Sequence, residues 1–448
     1  MIAIILFGVF FLLLFLRVPI AIALGAASIL SLISTMGTSS LGLISDIMYT
    51  SVAKFTLLSI PFFIIAGVIM DYAGISKRLI NFADTFVGHK KHGMALVTVI
   101  TALFFAAISG SGPATVAAIG GILIPALVKN GYKTESAAAL LSGTGATGIV
   151  IPPSIALIVF AVVAGDSISV SIGRMFIAGI IPGLLMGVGF YLAAIYVKKK
   201  DTKALMQEAK KAGIDFEIAA TKEVASPKER WQAFTGAIWG ILVPVIILGG
   251  IYGGVFTPTE SAVVAVFYGL FVGIFIHKEL KLKDIKRILI DSGVQTATVM
   301  LIVSSASLFA YVITTEGIAD LISDAVLGLS ENRYIILILV NIILLIAGMF
   351  MDAISAYYIF VPILLPIMIA LGVDPTVFGV FMTVNLAIGL FTPPVGVNLY
   401  VACGISNISL NKISKAIVPF VVASIVVLIL ITYIPAISTF LPNLLGVK

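Results

Sequence analysis

Two stretches decide the fold: Gly148-Ile149-Val150-Ile151-Pro152-Pro153-Ser154 and Gly389-Leu390-Phe391-Thr392-Pro393-Pro394. Gly148, Pro152 and Pro153 return as Gly389, Pro393 and Pro394, each 241 residues later, and the same offset carries Pro125 to Pro366. Four Gly or Pro matches at one ungapped spacing point to an internal duplication. Pro19 and Pro258, each opening an apolar run, make a looser match near the start of each half. Adjacent prolines remove two backbone donors and clash with the preceding turn, so each stretch interrupts the helix that contains it.

The surroundings are apolar. Of 448 residues, 60% are hydrophobic and 11% charged, and the mean hydropathy is +1.20, against about 45–50% and about 25% in soluble domains. Runs of about 20 apolar residues, enough for a helix to cross a bilayer, recur almost without pause. The chain reads as an all-α polytopic membrane protein. Its net charge of +6 comes from short basic clusters between apolar runs, as in membrane loops, so its medium is a lipid bilayer and nucleic acid is no expected partner. Cys403 stands alone, and His89, His92 and His277 are scattered over basic loops, so neither a disulfide nor a clustered metal site nor a cofactor is expected. Met1 to Leu16 is apolar with Arg17 after it, the reverse of a signal peptide, and reads as a retained first span. Gly143 to Gly148 fits G-x-G-x-x-G but runs into Pro152-Pro153 without a βαβ context. No G-x-x-x-x-G-K-[ST] occurs, which leaves an ion gradient as the energy source.

The stretch 198–230 holds nine Lys/Arg and six Asp/Glu and reads as a cytoplasmic linker between two halves, with an amphipathic surface helix over Thr202 to Ala212. With the N-terminus outside, the first repeat (1–197) contains scaffold spans over 1–72, a re-entrant hairpin (93–127), a broken helix (134–164) and a span (174–197). The second repeat (231–448) follows upside down, with scaffold spans over 231–313, a hairpin (334–371), a broken helix (375–402) and a span (416–438). Lys54, Arg174, Arg333 and Lys448 then lie outside and the other 23 of the 27 Lys/Arg inside, the asymmetry the positive-inside rule demands. Both termini fall on the outer side of the membrane. Arg174 and Arg333 are the outside cations best placed to meet a soluble partner. The layout is an inverted-topology repeat with two re-entrant helical hairpins and two interrupted helices.

Each half breaks its pattern twice. The breaks are Ser109 to Pro113 and Gly143 to Gly148 in the first half, then Gly348 to Asp352 and Asn385 to Gly389 in the second. Carbonyls freed at such breaks find no partner in lipid, so irregular backbone at this depth lines a cavity or lies buried in protein. Paired breaks suit an ion and substrate site, with unwound carbonyls on a cation and half-helix N-termini on an anion. The hydroxyls of Ser109, Ser111, Thr147 and Thr392 add hard oxygen ligands. The bland reading, small residues for close helix packing, would suffice for a lone glycine but not for two matched sets. Intramembrane carboxylates are costly and usually functional. Asp352, in a hairpin tip, is the leading candidate. Glu260, beside Thr257-Pro258-Thr259, serves equally well as a helix cap. Asp46, Asp71 and Asp166 fall at span ends and read as interfacial.

At these residues the chain resembles the large membrane subunit of TRAP transporters, the tripartite ATP-independent periplasmic family, DctM-like. The matching stretches include Ser109-Gly-Ser-Gly-Pro-Ala-Thr115, Gly131-Tyr132, Gly148 to Ser154, Ala178 to Gly183, Phe256 to Ala262, Gly348 to Asp352 and Thr392 to Gly396. The resemblance implies sodium-coupled uptake of a small organic anion such as a C4-dicarboxylate or sialic acid, by an elevator-type, ion-transporter-like mechanism. It implies two partners, a small four-span membrane subunit and a periplasmic substrate-binding protein. It places sodium at Ser109, Gly148, Ile151 and Pro153 in one half and at Gly348, Gly389, Thr392 and Val395 in the other, mainly through backbone oxygens. It maps functional polar residues to Ser109, Ser111, Ser154, Glu260 and Asp352; Thr147 and Asn385 join the substrate or coupling set as polar residues of the broken helices. No four-span block precedes Met1, so the small subunit is expected as a separate chain. The rival readings are a self-sufficient sodium/carboxylate symporter that needs no binding protein, a channel, and a membrane-embedded enzyme. The enzyme would need a clustered His, Cys or carboxylate centre, and the sequence offers none.

Overall fold

The computed structural model describes residues 2–165, 167–212, 223–330 and 332–447. Among them every regular element is helical. Among the described residues nine helices are long and apolar enough to cross a membrane, or ten when the pair Leu410–Ala416 and Val418–Tyr433, bent by 50°, counts as one span.

The helices break at the hairpin tips and at the double prolines, a few residues later than expected in the broken helices, where residues 143–145 and 385–389 are still helical; local sequence explains each break. The first hairpin has arms Gly93–Ser109 and Gly112–Lys129, turned by Gly110 at a left-handed φ of +60°. The second has arms Arg333–Phe350 and Ala353–Ala370. One broken helix comprises Thr134–Gly145, a short 3-10 turn Ala146–Ile149 and Ile155–Ala164, restarted by Ser154 as N-cap. The other comprises Pro375–Gly389 and Val397–Ser406, and Asp374 caps its start by accepting from the Thr376 amide at 2.7 Å. Pro152-Pro153 and Pro393-Pro394 are both cis. Gly112–Lys129 and Ala353–Ala370 start and end 241 residues apart, and so do the starts Thr134 and Pro375. Over this module the offset read from four residues extends to whole helices.

Two groups of helices pack around each other. One joins Ile2–Phe15, Ile20–Met36, Ser59–Tyr72, Pro227–Tyr252, Pro258–Phe271 and Leu282–Thr315. The other joins the two hairpins, the two broken helices, Ile172–Ala212 and Val418–Tyr433. Its halves interlock. Phe160 meets the rings of Tyr357 and Phe378 edge-on at 5.7 and 5.8 Å. Asn398 Nδ2 donates to the Ser142 carbonyl at 2.9 Å while Ser142 Oγ donates to the Asn398 carbonyl at 3.3 Å.

Three features differ from the sequence expectations. The predicted span 174–197 is part of one helix, Ile172–Ala212, that runs on into the charged stretch. The linker therefore does not begin at 198; the helix holds there because Thr202 Oγ1 donates to the Gly131 carbonyl at 3.2 Å and Lys133 Nζ donates to Glu208 at 2.7 Å. That carboxylate raises the Lys133 pKa above its ordinary value. Second, Ile75–Val87 and Ile318–Leu329 form amphipathic helices too short and too polar for a span search. Each follows a left-handed glycine, Gly74 or Gly317, 243 residues apart, and each packs on a hairpin arm. Third, Arg174 is not a free docking cation. Its guanidinium donates to Thr376 Oγ1 at 3.1 Å, the Val447 carbonyl at 2.6 Å and Asn443 Oδ1 at 3.2 Å, with Asp374 at 3.6 Å. Asp166, Lys448 and the linker residues 213–222 lie outside the described residues.

The tightest crossing in the module is Gly389 on Gly348, where a Cβ on Gly389 would overlap the Gly348 backbone, with Cα at 2.5 Å. Backbone cannot yield as a side chain can, so Gly389→Ala should cost about 1–3 kcal/mol and lower the unfolding midpoint in detergent. Gly404→Ala, which meets nothing within 4 Å, should leave the midpoint unchanged or raise it.

Candidate functional site

The first hairpin tip is held on three sides. A Cβ on Gly148 would lie 2.6 Å from the Ser111 carbonyl, one on Gly110 would lie 3.0 Å from the Pro153 carbonyl, and Gly67 faces the Ser109 backbone at 3.5 Å. The structure thus brings Ser109, Ser111, Gly148 and Pro153 together. Within the tip, Ser109 Oγ lies 2.9 Å from Thr115 Oγ1, and both hydroxyls reach the Ser111 carbonyl, at 3.2 and 2.8 Å. Backbone oxygens and hydroxyls converge here with no charged side chain. Such hard oxygen donors suit a hard cation rather than a transition metal that prefers nitrogen or sulfur. Ile151 contributes main chain only, because its side chain packs against Gly183.

The second tip brings together Gly348, Gly389 and Asn385, whose carbonyl approaches the Gly348 Cβ position at 3.5 Å. Asn385 is buried; its amide donates to Asn341 Oδ1 at 2.7 Å and the Phe381 carbonyl at 2.9 Å, while Oδ1 finds no partner. Thr392 Oγ1 is buried and donates to the Ile388 carbonyl at 2.6 Å. Thr147 Oγ1 likewise donates to the Thr144 carbonyl at 2.7 Å, and Ser154 Oγ to the Ile149 carbonyl at 2.6 Å while accepting weakly from Leu157 N. These hydroxyls repair the broken helices, as freed carbonyls in an apolar interior require. Val395 is half-buried in the loop after Pro394.

Asp352 occupies the position of Ser111 in the second tip, 241 residues on. Its carboxylate accepts from the Ile354 amide at 2.9 Å, the Ser355 amide at 3.2 Å and Ser355 Oγ at 2.6 Å. It caps its own helix and neutralises the positive end of that helix dipole. Ser111 makes no such cap. Of the two tip N-termini, that of Gly112–Lys129 has no capping side chain while that of Ala353–Ala370 is capped by Asp352. Glu260 is exposed and closes a capping box with Thr257, accepting from its amide at 2.7 Å and its hydroxyl at 2.9 Å. No contact joins it to either tip, so its geometry is that of a helix start.

A cavity of about 850 Å³ opens beside the first tip. Ser109 and Ser111 form one wall, and Asp71, Asp291, Gln295 and Thr298 stand on the other. Ser76 Oγ donates to Asp71 at 2.9 Å and the Tyr72 hydroxyl to Asp291 at 3.1 Å. Its lining includes no lysine or arginine. Asp291, Gln295 and Thr298 escaped sequence reasoning although their spacing of four then three marks a polar stripe on one helix face. Asp71 is not merely interfacial, since it faces this cavity.

The fold is shared by solved transporters. The YdaH transporter of Alcanivorax borkumensis superposes with a TM-score of 0.60 over 98% of this chain and 97% of its own, at 16% identity. MtrF of Neisseria gonorrhoeae superposes with a TM-score of 0.57 over 92% and 85%, at 12% identity. By fold, the molecule is a multi-span, all-helical membrane protein. The family described as "Tripartite ATP-independent periplasmic transporter, DctM component" matches residues 7–437, and the chain belongs to that family. It is 38% identical to the C4-dicarboxylate TRAP transporter large permease protein DctM of Rhodobacter capsulatus, over 99% of both chains. It is 43% identical to the isethionate TRAP transporter permease protein DctMQ of Oleidesulfovibrio alaskensis over 97% of this chain, spanning 66% of that relative's length. Its identity to the sialic acid TRAP transporter permease protein SiaT of Haemophilus influenzae is 34%, over 98% of this chain and 68% of the relative.

Because Asn caps a helix about as well as Asp, Asp352→Asn should unfold in detergent at the parent midpoint, whereas Asp352→Ala should lose about 1 kcal/mol. Equal midpoints for all three proteins would remove the capping role.

Proposed function

We propose that this chain carries a small organic anion across the bacterial inner membrane, coupled to sodium, as the transport subunit of a tripartite, binding-protein-dependent system. The observation that carries the reading is the first hairpin tip. There, Gly148 packs against the Ser111 carbonyl, and the Ser109 hydroxyl and the Ser111 and Pro153 carbonyls lie at the tip beside a cavity that reaches Ser109 and Ser111. Sodium at the two tips, held by Ser109, Gly148, Ile151 and Pro153 and by Gly348, Gly389, Thr392 and Val395, supplies the positive charge that the cavity lacks. The uncapped N-terminus behind Ser111 adds partial positive charge toward an anionic headgroup. Sodium and anion then favour each other's binding, and Asp71 and Asp291 discourage an anion that arrives without its cation. The relatives named for isethionate, C4-dicarboxylate and sialic acid share one chemistry, a small organic anion, and the substrate here belongs to that class.

Alternating access follows from the two helix groups. The hairpins and broken helices move as an elevator against the other group, in an inverted repeat whose halves face opposite sides of the membrane. A small four-span membrane subunit and a periplasmic binding protein complete the assembly, and both termini lie on the periplasmic side. The rival reading is a self-sufficient sodium/carboxylate symporter, which predicts unaided uptake by this chain alone in vesicles.

Reconstituted with its two partners, the protein should take up substrate when a sodium gradient is imposed and fall to background in choline buffer. Equal uptake in both media would sink sodium coupling. Ser109→Ala should raise the sodium concentration needed for half-maximal uptake. Asp352→Asn, folded like the parent, should transport far more slowly if the carboxylate couples as well as caps; a normal rate leaves it as a cap alone.

A further inference from the structure

Away from the hairpin tips, the long helix Ile172–Ala212 and the span Val418–Tyr433 enclose an apolar groove of about 550 Å³. Leu185, Val188 and Leu192 form one wall, Val418, Val422 and Val426 the other. The groove runs from Leu185 to Tyr196 on the long helix, or roughly 16 Å at the rise of an α-helix. That is about half of a 30 Å hydrocarbon core, the depth of one leaflet. Tyr196, 62% exposed, ends the groove where an interfacial aromatic belongs.

Past that end the groove meets a second, polar pocket of about 300 Å³, with Pro419 lining both. The 50° bend at Ile417 sets the short helix Leu410–Ala416 aside from the span, and Lys412 and Lys415 on it line the pocket with Lys200 and Lys133. Two carboxylates share the lining, Asp201 and Glu135. Asp201 accepts the Lys133 amide at 2.9 Å, and Lys133 Nζ pairs with Glu208 outside the pocket. Lys200, Lys412 and Lys415 are exposed and form no ion pair among the described residues. An apolar channel one leaflet deep thus ends in a pocket where cations outnumber carboxylates four to two.

We propose that this groove and pocket bind one anionic phospholipid, its acyl chain between Val188 and Val422 and its phosphate between Lys412, Lys415 and Lys200. A zwitterionic lipid would bring its own cation to a pocket already in excess of cations, so charge complementarity selects an anionic headgroup. The groove lies on the helix group that carries the hairpins, so the lipid belongs to that group and not to the opposite one.

Native mass spectrometry of the full-length chain in detergent, titrated with phosphatidylglycerol or phosphatidylcholine, tests the assignment. Phosphatidylglycerol should bind the parent tightly with one-lipid stoichiometry and phosphatidylcholine weakly. At roughly fivefold per lysine near an anionic group, Lys412→Gln with Lys415→Gln should weaken phosphatidylglycerol roughly 30-fold. Val188→Trp, at a 54% exposed position, should weaken both lipids by filling the groove, and glycerol 3-phosphate without acyl chains should not compete. Equal binding of the two lipids by the parent, an unchanged preference in the double lysine variant, or full competition by glycerol 3-phosphate would each overturn the proposal.

Discussion

Everything in this molecule depends on one constraint: a peptide group inside a bilayer must be hydrogen-bonded by protein or by the water of a cavity. Breaking a helix at that depth is therefore expensive, and this chain does it four times. Each break is repaired locally. Ser154, Thr147 and Thr392 return their hydroxyls to freed carbonyls, Asp352 collects three donors of its own helix, and glycines let the tips press against the broken helices without a side chain between. What remains unrepaired, notably Asn385 Oδ1 and the N-terminus behind Ser111, stands out against this background of satisfied groups.

The two tips are built alike in backbone and differently in charge. Ser111 and Asp352 hold equivalent positions, yet one leaves its helix dipole bare and the other cancels it. One carboxylate in one tip thus sets the two apart electrostatically while the backbone geometry stays common to both.

The breaks and the spacing between them were legible in sequence because Gly and Pro act on their own backbone, whatever surrounds them. Pro152-Pro153 and Pro393-Pro394 interrupt helices in any context. The amphipathic helices Ile75–Val87 and Ile318–Leu329 were not legible by span length, since they bury only one face and need the hairpin arms to cover it. The helix over 202–212 was legible in its amphipathic pattern, but its continuity with the preceding span was not, because that depends on Glu208 and Thr202 reaching back to Lys133 and Gly131. Site side chains split along the same line. Ser109 and Ser111 sit in a visible break, whereas Asp71 and Asp291 acquire meaning from a cavity that exists only after packing. Glu260 kept two readings in sequence, and its capping box with Thr257 favours the plainer one.

The offset between the halves is also a record of tolerance. It is 239 residues between Pro19 and Pro258, 243 between Gly74 and Gly317, 241 from the hairpin tips to the double prolines, and 242 between the helices Ile155–Ala164 and Val397–Ser406. One residue added to a helix turns everything after it by about 100°, which a span facing lipid can absorb and a glycine pressed on a glycine cannot. Length has drifted in the surrounding spans and once after the double prolines, and has stayed fixed from the hairpin tips to Gly148 and Gly389. A chain of this kind can be lengthened or shortened around that contact, while the stretch that makes it accepts changes of residue but not of count.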